Sequence, residues 1–252
     1  MRKNKSPSLI IKHKDKALNS LNDFLNNLIN SKNADNQSKV DKICYWLETY
    51  ASFLEYEKEF SPLSRCKYKR GQIIKADFGF RIGSEYGGLH YAIVTDINNS
   101  KYSTSVTVVP LTSVKDDFDK CNMKKGQIYL GDEIYTSLSD KNNAIKHEVG
   151  KRINQLKEEI LNSSSTVSEL IEKELDSLEK KMDLIHKINA EISKMKHGSI
   201  ALVSQITTIS KIRISDPRTS NGVLHGIKIS TENLDLIDEK IKKLYTLNKD
   251  MY

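Results

Sequence analysis

The stretch "RIGSEYGGLHYAIV", residues 81 to 94, sets three glycines and several polar side chains directly before a histidine and an apolar run. A free imidazole titrates near pH ~6.5, so at neutral pH His90 offers both states that general acid–base chemistry uses. Gly83, Gly87 and Gly88 carry no Cβ, which lets their loop approach another backbone closely, whether that of a hairpin or that of a ligand. Ser84 and Glu85 add hydrogen-bonding groups, and Tyr86 adds a flat aromatic face. A later segment, "SVTVVPLTS", ends on two hydroxyls, Thr112 and Ser113, at a place where such residues often start a turn. His13, His147, His186, His197 and His225 lie in segments without a converging nucleophile and read as structural. The acids of "DDFD", residues 116 to 119, read as a solvated turn, because successive loop carboxylates rarely converge on one ion. No metal or other cofactor is expected.

These residues need a scaffold, and the periodicity supplies one. From Ala17 to Lys58, Leu18, Leu21, Leu25 and Leu28 form one helical stripe, and Val40, Ile43, Leu47, Ala51 and Leu54 form a second; the polar break "NSKNADNQS" between them predicts an antiparallel helix pair. From Tyr68 onwards the texture changes to short β-branched segments: "GQIIKADFGF", "HYAIVTDI", "SVTVVPLTS" and "GQIYLGDEI". Helical spacing returns between Asn142 and Lys196. Ile145, Val149, Ile153, Leu156 and Ile160 make one stripe; "NSSST" turns the chain; Ile171, Leu175, Leu178, Met182, Ile185 and Ile192 make another at near-heptad spacing. Strand texture resumes at "GSIALVSQITTISKIRI", and a final helix capped by Ser230 or Thr231 uses Leu234, Ile237, Ile241 and Leu244.

The order predicts an α+β chain in which a helical hairpin interrupts a small β-barrel, since an antiparallel hairpin returns the chain to where it left. The expected organisation is an N-terminal helical extension over residues 1–66 and a barrel domain over 67–252, interrupted at about 140–197. A formal charge of +7 and a pI near 9.0 suit a polyanionic partner. Cys44, Cys66 and Cys121 are odd in number and lack C-x-x-C spacing, which argues against a disulfide framework or a zinc site and for a reducing, cytoplasmic setting. After "MRKNKS" no sustained apolar stretch suggests a secretory or membrane-spanning segment.

Taken in order, "KRGQIIKADFGFRIGSEYGGLHYAIVTD", "YSTSVTVVPLTS" and "GSIALVSQITTISKIRI" resemble the PemK/MazF family of toxins, over roughly half of the chain. The resemblance implies a small SH3-like barrel closed by a helix and a homodimer. It implies metal-independent, sequence-specific cleavage of single-stranded RNA, restrained by an acidic antitoxin segment in the RNA groove. In the family pattern a basic residue after the glycine-rich loop, usually arginine before proline, partners a threonine at the end of the third strand. Thr112 matches the threonine, with Ser113 beside it, while His90 and Tyr91 stand where arginine and proline are usual.

On this reading His90, Thr112 and Ser113 are the catalytic candidates. Imidazole is suited to remove the 2′-hydroxyl proton or to protonate the leaving oxygen, and the hydroxyls to donate to a nonbridging phosphate oxygen. Gly83, Ser84, Glu85, Tyr86, Gly87 and Gly88 are the candidate RNA-binding loop, with Tyr86 as a stacking face, and Gln205 either touches RNA or closes the barrel. Two competing expectations are a noncatalytic toxin of the same fold that traps DNA gyrase, as CcdB-type toxins do, and an inactive scaffold.

Overall fold

The computed structural model describes residues 6–115, 119–162 and 168–246. The chain divides into two compact units, Met1–Tyr56 and Glu57–Tyr252. The first unit consists of α1 (Pro7–Asn30) and nearly all of α2 (Ala34–Glu57). Proline at the start of α1 fits a position whose N–H would be unbonded in any case, which carries this helix ten residues ahead of its leucine stripe. Asn33 ends the short break by capping α2, its Oδ1 accepting from Asp35 N at 2.8 Å.

The second unit is α+β. Its strands are β1 (Ile73–Asp77), β2 (Leu89–Val94), β3 (Ser105–Ser113), β4 (Gln127–Gly131), β5 (Ser199–Leu202), β6 (Thr207–Ser210) and β7 (Ile214–Asp216). All pairings are antiparallel, in the order β4–β5–β3–β2–β1–β7, with β6 also on β3. The end strands β4 and β7 are not paired with each other, so the hydrogen-bonded sheet is open where a closed barrel was expected. Strand β3 is the spine: its first half pairs β6, its middle pairs β2 and its last residues pair β5. The long segment "GSIALVSQITTISKIRI" is not one strand. Two 3-10 turns, Val203–Gln205 and Lys211–Arg213, break it into β5, β6 and β7.

The two-residue strand period buries both faces of this sheet. Ile73, Ile93, Val109 and Leu111 point to one core, and Ile74, Ala76, Ala92, Val94, Val106 and Val108 point to the other, where Tyr68 and Phe78 complete the packing. The first core is covered by α3 (Glu133–Asn162), α4 (Ser168–Ile192) and α5 (Thr231–Tyr245) through Ile134, Leu138, Ile188 and Ile237. Ser230 caps α5 by accepting from Asn233 N at 3.3 Å.

Helices α3 and α4 run against each other with descending partners: Asn142 Nδ2 donates to Asn189 Oδ1 at 2.7 Å, Lys181 pairs with Glu148 at 2.8 Å, and Arg152 pairs with Glu174. Val149, Leu156, Leu178 and Ile185 form their shared core. Both stripes are only partly used, since Ile153 of the first and Leu175 and Met182 of the near-heptad second are exposed while the unforeseen Ile188 is fully buried. The turn expected at "NSSST" falls at 163–167, outside the described residues, as do the side chains of Ile160 and Ile171.

Ile188 is the residue by which α4 grips the sheet. Its replacement by alanine removes buried methyl groups from a packed site and is expected to cost about 2–5 kcal/mol, whereas Leu175→Ala on the same helix is expected to stay within about 0.5 kcal/mol. Urea denaturation of the two variants, read by circular dichroism, checks the difference.

Candidate active site

The site lies where β2 and β3 part. Their ladder runs Val94 to Val108, Ile93 to Val109 and Ala92 to Pro110, and there it stops. Pro110 belongs to a non-hydrogen-bonded pair and its backbone N faces away from β2, because Thr95 N donates to the Thr107 carbonyl and the pairing alternates from there. From Leu111, β3 turns to β5, pairing Leu111 with Ala201, Thr112 with Ile200 and Ser113 with Ser199. Two residues further along the abandoned register, His90 would face Thr112. The strand ends thus aim the two side chains at each other and then leave a gap between them.

The Tyr86 phenol fills that gap. Its oxygen donates to the Leu111 carbonyl at 2.6 Å and stands 3.0 Å from His90 Nδ1. Thr112 also hydrogen-bonds it. A phenol has one proton, and a carbonyl can only accept, so that proton serves Leu111. The His90 ring also hydrogen-bonds the Gly87 backbone, so Tyr86 and the loop hold the imidazole between them. The two rings lie 4.4 Å apart between centroids, and Phe78 meets Tyr86 edge-on at 6.2 Å. The aromatic side chain expected to stack on a base is thereby committed to orienting the histidine.

Burial lowers the His90 pKa from its ordinary 6.5, opposed by a hydrogen bond with the Gly87 backbone and by the Asp77 charge. At neutral pH the ring is a neutral base. Burial also raises the Tyr86 pKa, against the Thr112 hydrogen bond, so the phenol keeps its proton.

The glycine-rich loop holds this arrangement from behind. A Cβ on Gly87 would sit 2.4 Å from the Gly79 carbonyl oxygen, and Gly88 N donates to that same oxygen at 2.9 Å. Gly88 has φ +94°, and a Cβ there would lie 3.3 Å from His90 Nε2. These two glycines serve close packing, while Gly83 sits in open space. Gln205 ends a 3-10 turn rather than lying in a strand, and its amide is taken up by the loop: Oε1 accepts from Tyr86 N and Nε2 donates to the Ser84 carbonyl, both at 3.3 Å. Ser84 and Glu85 are exposed at the loop tip.

A cleft of about 220 Å³ is lined by His90, Thr112 and Ser113 together with Lys75, Lys194 and Lys196. The three catalytic candidates share it, and among the described residues no carboxylate lines it. Sequence reasoning missed the lysines. Lys75 sits opposite Tyr91 across β1 and β2, and both side chains hydrogen-bond the Glu191 carboxylate of α4. A signal for Lys75 did exist: it is the one charged residue within the apolar run "QIIKA". Of the acidic run, Asp119 caps a 3-10 turn by accepting from Cys121 N at 2.9 Å, and residues 116–118 lie outside the described residues.

No protein-family model matches the chain, and no curated protein is found to be similar to it. Among the described residues no helix is long and apolar enough to cross a membrane, and no group of three His, Cys, Asp or Glu is placed to hold a metal ion.

Two measurements follow from this geometry. Nitrogen-15 NMR of the imidazoles is expected to show His90 titrating below the ordinary 6.5, with its Nδ1 resonance shifted in Tyr86→Phe. Glu191 is opposed by desolvation but held by Lys75 and Tyr91, and the balance lowers its pKa below 4.5. Ionised Glu191 thus stabilises the fold at pH values above the unfolded carboxylate range, and that contribution is lost as pH falls through the depressed folded value. The stability gap between wild type and Glu191→Gln is expected to be widest near neutral pH and to shrink below 4.5.

Proposed function

We propose that this protein is a metal-independent endoribonuclease acting on single-stranded RNA, the toxin half of a toxin–antitoxin pair with a PemK/MazF-like architecture. The observation that carries the reading is one cleft lined by a histidine, two hydroxyl side chains and three lysines. A base, neutral hydrogen-bond donors and fixed positive charge are what phosphodiester cleavage by an internal hydroxyl requires.

In this mechanism His90 takes the proton of a ribose 2′-hydroxyl. The 2′-oxygen attacks the adjacent phosphorus, and the bond to the 5′-oxygen breaks. The imidazolium or a water returns a proton to that leaving oxygen, so the products are a 2′,3′-cyclic phosphate and a 5′-hydroxyl. Thr112, whose hydroxyl rests on Tyr86 in the free protein, and Ser113 donate to a nonbridging oxygen as its charge builds. Histidine replaces arginine here with a gain in function: an arginine stays charged and clamps, whereas a neutral imidazole accepts the proton itself. The exposed Ser84 and Glu85 at the loop tip are placed to read unpaired bases.

The wider reading is an open sheet counted as an SH3-like barrel, the α3–α4 pair as its helical hairpin insertion, a cytoplasmic homodimer, and an acidic antitoxin as inhibitor. The lysine-lined cleft supports an anionic occupant of either kind, RNA substrate or acidic inhibitor segment.

The test is incubation of the purified protein with RNA in EDTA, followed by mapping of the termini. The expected products carry 2′,3′-cyclic phosphates; His90→Ala is expected to reduce the rate about 10²–10⁴-fold and Thr112→Val about 10²-fold. Intact RNA with the wild-type protein, or cleavage undiminished in His90→Ala, would overturn the assignment.

A further inference from the structure

A second cleft, of about 290 Å³, adjoins the first and shares Lys75 and Lys194 with it; Lys187, Glu191 and Asp216 complete its polar lining. Both acids of this cleft are already engaged. Glu191 is held by Lys75 and Tyr91, and Asp216 accepts from Val223 N and Leu224 N at 3.0 and 2.6 Å. The lysines are not balanced in the same way. Lys187 and Lys194 are exposed, and neither forms an ion pair among the described residues.

The placement of these cations follows from α4. Its apolar positions Ile185 and Ile188 are pressed into the two cores, which turns the face carrying Lys187 and, one turn on, Glu191 towards β1 and β2. The helix ends at Ile192, and Lys194 follows in the chain that returns to β5, where it borders both clefts. Lys75 joins them from the sheet, its ammonium fixed by Glu191 with only 24% of the side chain exposed. Lysines therefore border the His90–Thr112 cleft and continue along the end of α4, with the engaged Glu191 among them.

We propose that Lys187 and Lys194, with Lys75 beside them, form a phosphate subsite for the same nucleic-acid strand, taking its backbone on one side of the bond cleaved at His90. This inference rests on the RNA-cleaving reading and extends it to a polyanion track built by the helical element inserted between β4 and β5. A phosphate held there fixes the strand's register without reading its bases.

Binding of an all-2′-deoxy single-stranded oligonucleotide, which lacks the attacking hydroxyl, tests the subsite by fluorescence anisotropy across a salt series. Each of Lys187→Gln and Lys194→Gln is expected to lower the slope of log K against log salt by about 0.7, and the double variant by about 1.4. Lys180→Gln, an exposed lysine farther along α4 that pairs with Asp176, is expected to leave the slope unchanged. On RNA, Lys187→Gln, which lies outside the His90–Thr112 cleft, is expected to raise KM while kcat holds. A wild-type slope and KM in the double variant, with wild-type protein cutting RNA, would overturn the subsite and leave the nuclease assignment standing. Wild-type protein that neither binds the oligonucleotide nor cuts RNA would overturn both.

Discussion

The site depends on a hydrogen-bond ladder that ends early. Beyond Pro110, β3 leaves β2 and commits its last residues to β5. Had the ladder continued, His90 and Thr112 would be cross-strand neighbours. Because it stops, a phenol enters the space, satisfies the Leu111 carbonyl and meets the His90 ring. The parting of the two strands thus gives the cleft its space and leaves the Leu111 carbonyl for the Tyr86 phenol.

Everything around that gap keeps it open and oriented. Gly87 passes too close to Gly79 for any side chain, Gly88 leaves space against the imidazole, and Gln205 pins the loop by both ends of its amide. The sheet itself is rigid because both faces are buried, one by Tyr68, Phe78 and their neighbours and the other by three helices. Histidine at the end of such a sheet loses hydration and stays neutral. A solvated loop would not lower that pKa.

The inserted helices, α3 and α4, do more than extend the fold. Through Ile188, α4 is part of the core that the strands build, and through Glu191 it ties Lys75 and Tyr91, neighbours on β1 and β2, to its own surface. Its end brings Lys194 and Lys196 to the rim of the cleft. Lysine near a helix C-terminus complements the partial negative charge of the last carbonyls, so the fold tolerates a cluster of cations there.

The sequence by itself determined the α+β alternation, a cap for the last helix at Ser230 or Thr231 and the polar break before α2. These follow from local rules of side-chain period, turn chemistry and residue type, whereas the grouping of His90, Thr112 and Ser113 came from the family resemblance. It mis-set the start of α1, read three short strands as one and placed Gln205 in a strand. The Gln205 error has a distant cause, since its side chain is held by Tyr86 N and the Ser84 carbonyl, more than a hundred residues away. Only the tertiary structure decided that Lys75, Lys194 and Lys196 would meet the histidine, that Ile188 rather than the heptad stripe would anchor α4, and that Tyr86 would meet the His90 ring. Local periodicity sets which way a side chain faces along its own element; what it faces is fixed when separate elements pack and exclude water between them.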